Sequence, residues 1–310
     1  MKRDFTRLLD ITEKECDHLL KRARHMKGLR QANKPWQPLT GKSLAMIFEK
    51  ASTRTRLSFE TGMHQLGGQA IFLSPSETQI GRGEPIEDTA RVLSRYVDGV
   101  MIRTFSQDTV ESLARWAAIP VINGLSDQYH PCQTLADLQT IEEYKGSLRK
   151  VKVAYIGDGN NVANSWLEAA VLMKMPFAIA TPKGYLPDRE LTQKASSSGN
   201  DFTLTDDPAE AVRDADVIYT DVWVSMGQEK EKASRKKAFK GYRIDDKLLR
   251  LARKDAIVMH CLPAYRGQEI TDEVFERFSE VIFTQAENRL HAQKALLEWL
   301  LAGQAKTSAE

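Results

Sequence analysis

Ser43-Leu44-Ala45-Met46-Ile47-Phe48 runs through Glu49-Lys50-Ala51 into Ser52-Thr53-Arg54-Thr55-Arg56. The apolar run reads as a buried strand. A helix is predicted over 53–67, with Leu57, Met63 and Leu66 facing inward, and it begins where the hydroxyls and guanidinium groups stand. A strand that ends on a helix N-terminus is the repeating unit of an open α/β sheet. The rhythm continues outward: a strand near 69–73, a helix over 85–97, a strand at 99–103, a helix over 109–118 and a strand at 120–123. A helix then starts near Pro131, with Leu135, Leu138 and Ile141 at three-residue spacing. Repeated βα units imply a parallel sheet covered on both faces.

The polar segment Tyr144-Lys145-Gly146-Ser147-Leu148-Arg149-Lys150 marks a domain boundary, after which the rhythm restarts. Val151–Ile156 reads as a strand, 161–174 as a helix and 177–181 as a strand. Further strands are predicted near 202–205, 217–222, 256–260 and 281–284, with helical stretches between them. An amphipathic helix over 287–302 carries Leu290, Leu297, Trp299 and Leu300. The expected fold class is therefore α/β, with two domains, 1–145 and 146–286. Each is a mostly parallel sheet flanked by helices, interdomain helices join them, and the C-terminal segment 287–310 packs back on the first. The charged run 228–240 reads as a solvated helix or loop.

A chain of 310 residues has room for two cores. The formal net charge of +2 gives no reason to expect nucleic acid or a membrane surface as partner. Three cysteines, Cys16, Cys132 and Cys261, do not make a disulfide framework and suit a reducing compartment. The opening Met1-Lys2-Arg3-Asp4-Phe5-Thr6 lacks the apolar core of a signal peptide, so a cytoplasmic location is expected. The histidines are scattered without zinc spacing, and no metal is expected. Gly157-Asp158-Gly159-Asn160-Asn161-Val162 follows a strand and opens a helix. Val162 replaces the third glycine of a dinucleotide fingerprint, and the strand ending Ala180-Thr181-Pro182-Lys183 supplies no acid for a ribose; no cofactor is expected.

Residues 52–56 have the make-up of an anion trap. The free N–H groups of a helix N-terminus converge at a dipole-positive end, hydroxyls add donors, and two arginines add planar forks suited to phosphate oxygens. An ordinary helix cap needs only one such hydroxyl. The glycine pattern of a nucleotide-binding P-loop is absent, which favours a small phosphorylated substrate.

The segment Ser52-Thr53-Arg54-Thr55-Arg56 resembles the phosphate-binding signature of the aspartate and ornithine carbamoyltransferases. His130-Pro131-Cys132-Gln133 resembles that family's His-Pro-x-Gln turn, and Met101-Ile102-Arg103-Thr104 its arginine-bearing strand end. The resemblance runs from the first helix to about residue 300. It implies that carbamoyl phosphate is held by Ser52, Thr53, Arg54, Thr55, Gln79, Arg103, His130, Gln133, Cys261, Leu262 and Arg289. Arg103, His130 and Cys261 are the implied catalytic residues. Thr55, Arg103 and His130 would surround the carbonyl oxygen, where charge develops on attack. Gln133 would hold the carbamoyl NH2, and Arg289, in Gln285-Ala286-Glu287-Asn288-Arg289, would reach the carbamoyl group from the last helix. The loop Ser76–Gly83, with Gln79, would cross to a neighbouring subunit, implying a homotrimer or a multiple of trimers. The first domain would thus bind carbamoyl phosphate and the second the amino acid.

The acceptor branch is read from later motifs. The crossing loop has no lysine, and His260-Cys261-Leu262-Pro263-Ala264 and Asp221-Val222-Trp223-Val224-Ser225-Met226-Gly227 resemble the ornithine-specific members. The implied partners are carbamoyl phosphate and L-ornithine, the implied product citrulline, and the implied setting arginine biosynthesis. Residue chemistry agrees. An α-ammonium wants a carboxylate, which Asp221 offers at a strand end. An α-carboxylate wants donors, which Asn161 and the Ser225–Met226 backbone offer. Cys261 could orient the side-chain amine; Cys132 only packs. Putrescine has no α-carboxylate and an acylated ornithine no α-ammonium, so the intact Ser-Met-Gly loop argues against either as acceptor. That loop and the charged run after it are also the candidate lid over the site.

Overall fold

The computed structural model describes residues 2–74, 83–225 and 227–302. Tertiary contacts divide the chain into one unit of residues 1–139 with 287–310, and a second of residues 140–286. The first division falls upstream of the polar 144–150 segment.

The first unit is built on β1 (Ser43–Phe48), β2 (Gln69–Leu73), β3 (Gly99–Arg103) and β4 (Val121–Leu125), with α1 (Glu13–Gln31), α2 (Thr53–Gln65), α3 (Ile86–Tyr96), α4 (Gln107–Trp116) and the start of α5 (Pro131–Lys145). All strand pairs are parallel, in the order β2-β1-β3-β4. The inner strands β1 and β3 are almost wholly buried, while β2 at the edge is partly exposed. That burial explains why β1 and β3 read as continuous apolar runs instead of alternating ones. Ala45, Ile47, Val100, Ile102 and Val121 of the sheet pack with Ala90, Val110 and Leu113 of α3 and α4.

The second unit repeats the plan with β5 (Val153–Ile156), β6 (Phe177–Ala180), β7 (Phe202–Thr205), β8 (Val217–Thr220) and β9 (Ile257–His260). Its helices are α6 (Asn161–Met173), α7 (Arg189–Ser197), α8 (Pro208–Val212), α9 (Lys232–Ala238), α10 (Asp246–Leu249), α11 (Asp272–Arg277) and the start of α12 (Ser279–Leu301). The sheet is again all parallel, in the order β7-β6-β5-β8-β9. Each sheet therefore has a point where successive connections leave in opposite directions, between β1 and β3 in the first and between β5 and β8 in the second. Open α/β sheets bind ligands beyond the carboxyl ends of the strands at such points.

One strand assignment is corrected. Residues 281–284 are not a strand but part of α12. Val281-Ile282-Phe283-Thr284 is a β-branched apolar run too short to declare a period. Its helical register shows in the burial: Val281 and Ile282 lie inside while Phe283 is 56% exposed. The charged run does contain a helix, α9, and is mostly exposed as expected, but Arg235 and Phe239 within it are buried. No helix of the described residues is long and apolar enough to cross a membrane.

Candidate functional site

The residues singled out from sequence form two groups, one in each unit. In the first, β1 delivers the chain to Ser52, which caps α2: its Oγ accepts from the Thr55 N–H at 3.2 Å. Arg54 and Thr55 follow in the first turn, and the remaining orphan N–H groups of that turn make an anion-favouring end. Arg56 turns aside, pairing with Glu60 at 2.9 Å and lying over the Phe72 ring at 3.8 Å. Arg103 stands at the carboxyl end of β3, beside β1 at the switch point. Arg289 of α12 donates to Gln133 Oε1 at 2.7 Å and to Thr55 Oγ1 at 3.2 Å. Gln133 in turn donates to Asp137 Oδ1 at 2.9 Å. One chain of bonds thus fixes Thr55, Arg289 and Gln133 together.

The electrostatics of this group are one-sided. Arg103 is 8% exposed, and its Nε makes no hydrogen bond among the described residues. Burial pushes its guanidinium down to about 10, with Arg289 and Arg54 adding repulsion. Burial holds His130 well below the usual histidine range, reinforced by Arg289, Arg103 and Arg54. His130 is therefore a neutral imidazole at pH 7, while three cations crowd one spot. An anion with several oxygens would relieve that repulsion. Cys132 is fully buried, its thiol pushed up to about 12 by burial, and its Sγ meets the Asn123 carbonyl oxygen at 3.4 Å. It packs.

In the second unit, β5 and β8 end side by side. Asn160 caps α6, its Oδ1 accepting from the N–H groups of Val162 at 2.9 Å and Ala163 at 3.2 Å. Its amide nitrogen donates to Asp221 Oδ2 at 2.8 Å. The other oxygen of Asp221 accepts from Cys261 Sγ at 2.9 Å. Asp221 is 7% exposed, so a buried carboxylate is aimed by one amide and one thiol. Asn161 opens α6 beside the cap, and Ser225 closes a turn with Gln228, whose N–H donates to its carbonyl at 3.0 Å. Leu262 has a φ of +61°, rare for a branched side chain, and its N–H donates to His260 Nδ1 at 2.9 Å. Gln79 and Met226 lie outside the described residues.

Asn160 was missed from sequence, although it neighbours Asn161; its role depends on a partner sixty-one positions along the chain. Glu269, Gln285 and Arg235 were missed as well. Glu269 faces His260 Nε2 at 3.2 Å, and Gln285 Oε1 accepts from the His260 backbone N–H at 2.9 Å, so β9's end is held on both sides. Among the described residues, the donor atoms of Asp221, His260 and Cys261 are the one grouping of three possible metal ligands, all within 4.8 Å. Each donor is engaged by protein: Asp221 by Asn160 and Cys261, and both His260 ring nitrogens by Leu262 and Glu269.

A family model for the aspartate/ornithine carbamoyltransferase carbamoyl-phosphate-binding domain matches residues 3–143, and one for the Asp/Orn-binding domain matches residues 149–300. An ornithine carbamoyltransferase of Methanoculleus marisnigri is 57% identical over 303 residues, covering 98% of each chain. One from Geobacter sulfurreducens is 53% identical over 305 residues, covering 97% of this chain and 100% of that one. Among solved structures, the ornithine carbamoyltransferase from Pyrococcus furiosus superposes with a TM-score of 0.92 at 50% identity, covering 97% of both chains. The anabolic ornithine carbamoyltransferase from Campylobacter jejuni gives 0.91 at 46%, covering 97% of this chain and 99% of that one.

Proposed function

The chain belongs to the aspartate/ornithine carbamoyltransferase family, and from that premise we propose that it transfers the carbamoyl group of carbamoyl phosphate to the side-chain amine of L-ornithine, giving L-citrulline and phosphate. The observation that carries this reading is the crowding of Arg54, Arg103 and Arg289 around a neutral His130. Such a cluster suits a phosphorylated, carbonyl-bearing substrate. The acceptor is taken as ornithine because the relatives at this level of identity are ornithine carbamoyltransferases, and Asp221 supplies the buried carboxylate an α-ammonium needs.

In this mechanism Ser52, Thr53, Arg54 and Thr55 bind the phosphate, with Gln79 contributed from a neighbouring subunit. The side-chain amine, ordinarily protonated with a pKa near ~10.4, first loses a proton. Its lone pair then attacks the carbamoyl carbon. A new C–N bond forms, the bond from carbon to the phosphate oxygen breaks, and one of the two remaining amine protons leaves with the departing phosphate while the other stays on the product nitrogen. Thr55, Arg103 and His130 donate to the carbonyl oxygen as it gains charge, each well-placed donor being worth ~3–4 kcal/mol in the transition state. Neutral His130 serves as a donor without exchanging a proton. Gln133 and Arg289 orient the carbamoyl group, with Leu262 and Cys261 bordering it. Asn161, Ser225 and Met226 bind the α-carboxylate, Asp221 the α-ammonium, and Cys261 orients the attacking amine. Orientation, not a covalent intermediate, carries the rate.

A homotrimer, a cytoplasmic setting and a place in arginine biosynthesis are part of the same proposal, supported by the family resemblance. Turnover measured on ornithine, putrescine, N-acetylornithine and aspartate tests the acceptor. Strong preference for ornithine is expected, and equal or better turnover of any other amine would overturn it. Sedimentation of the purified protein tests the trimer.

A further inference from the structure

Arg235 stands in the run of charges expected to be solvated, yet its side chain is 7% exposed and pairs with an Asp158 side chain that is 6% exposed, at 2.7 Å. The same Nη1 donates to the Trp223 carbonyl oxygen at 3.2 Å, and Nε donates to Glu231 at 2.8 Å. The guanidinium also lies over the Tyr185 ring at 4.9 Å. Asp158 belongs to the loop leaving β5 and Trp223 to the loop leaving β8. One planar group therefore ties together the two loops that carry Asn160 and Asn161 on one side and Asp221 and Ser225 on the other.

The loop is confined by more than that pair. Gly159 donates its N–H to the Tyr185 carbonyl oxygen at 2.9 Å, and a Cβ there would meet the Pro187 nitrogen at 2.2 Å. Only glycine fits, so the backbone around Asp158 has little freedom to readjust if its partner is lost. Asn160 is saturated: its oxygen takes the N–H groups of Val162 and Ala163 and the Tyr155 hydroxyl at 3.2 Å, leaving its amide to Asp221. A shift of the 158–160 loop passes directly to the carboxylate of Asp221. Burial pushes the Asp158 carboxyl up to about 6, with Arg235 holding it down and Asp221 and Glu231 pushing it further up, so Arg235 is what keeps Asp158 in its charged, pairing form.

We propose that Arg235 is a positioning residue of the amino-acid site: by bridging Asp158 and the Trp223 carbonyl it fixes the two loops that aim Asn160 and Asp221 at the substrate's α-ammonium. This rests on the reading of Asp221 given above.

The test compares wild type with Arg235→Gln, Arg235→Lys and Asp158→Asn. The probes are ornithine, carbamoyl phosphate and L-norvaline, which keeps ornithine's α-groups and lacks its side-chain amine. Thermal unfolding confirms that each variant is folded. In Arg235→Gln the KM for ornithine and the inhibition constant of norvaline rise together by about tenfold or more, the order expected on losing a hydrogen-bonded supporting group, while the KM for carbamoyl phosphate stays within about twofold. Asp158→Asn shifts the same two constants in the same direction but by less, because Arg235 keeps its bond to the Trp223 carbonyl, and the double variant is no worse than Arg235→Gln, which already removes the shared pair. Arg235→Lys recovers only part, since an ammonium that meets Asp158 and the Trp223 carbonyl has no second nitrogen for Glu231 and no planar group to lie on Tyr185. Unchanged norvaline inhibition in folded Arg235→Gln and Asp158→Asn overturns the role. So does a parallel rise in both Michaelis constants, which marks general damage. If wild type makes no citrulline, the proposed function falls; if wild type is active and the variants bind norvaline normally, the positioning role alone falls.

Discussion

Replacing Arg103 by methionine separates what the site costs from what it does. Arg103 is 8% exposed at the end of β3, and burial and two neighbouring guanidinium groups oppose its charge. In the ligand-free protein that charge is a liability, and exchange of a poorly compensated buried charge for an apolar side chain of similar volume is often neutral or stabilising by ~1–4 kcal/mol. In the transition state the balance reverses. Losing one donor to the developing oxyanion costs ~3–4 kcal/mol, a fall in kcat of roughly 10²–10³. The variant should therefore be as thermostable as wild type, or more so, and slower by that factor. A third readout comes from His130, depressed by burial first and by three cations after it. With one cation removed its imidazole should titrate higher, though still below the usual range because burial remains. Thermal unfolding, steady-state citrulline formation and an NMR titration of the imidazole measure the three effects. A variant markedly less stable than wild type, or one whose kcat stays within about tenfold, refutes the argument, because Arg103 would then be structural or idle.

Asp221→Asn removes the charge that faces the α-ammonium. Breaking such a buried pair costs ~3–5 kcal/mol, so kcat/KM for ornithine should fall by roughly 10²–10⁴. Turnover of n-butylamine, which keeps the side-chain amine and lacks both α-groups, should hardly change; the ratio of the two rates checks it. Cys261→Ser shortens the donor that touches Asp221 Oδ1. It should lower kcat/KM for ornithine by about tenfold with little change in the KM for carbamoyl phosphate, and equal damage to both in initial-rate kinetics would remove Cys261 from the amine. Stability also carries a signature of His130. Its folded value lies well below its unfolded value of about 6.5, so below that pH the unfolded chain takes up a proton the folded chain refuses. Unfolding free energy thus falls with pH, by at most about 1.4 kcal/mol per pH unit from this group, until its folded value is reached. Urea melts at pH 7.5 and 5.5 should show a smaller loss for His130→Asn than for wild type.

The parts legible in the sequence are those whose signal is local. The strand–trap–helix over 43–65 could be read because a cap, a dipole and a donor set all fall within a few residues, and Ser52 does cap α2. The burial of the inner strands made their type plain but hid their order, and it is the order that puts the ends of β1 and β3, and of β5 and β8, at switch points. α12 misled for a different reason. Its inward face carries Gln285, Asn288 and Arg289, all buried, so hydrophobic periodicity is broken where the helix serves the site. The remaining omissions, Asn160 on Asp221 and Arg235 on Asp158, are pairs distant in sequence. Nothing local distinguishes such an asparagine from an ordinary cap, or such an arginine from its solvated neighbours.

The most direct test of the account follows the carbamoyl carbon itself. Purified protein is given carbamoyl phosphate labelled with carbon-13 and ornithine labelled with nitrogen-15 at the side chain, and the products are read by NMR. The account predicts a new coupling between the two labels as citrulline forms, with phosphate released in equal amount and none formed faster than in buffer when ornithine is withheld. Phosphate release without that coupling, or no turnover at all, contradicts it.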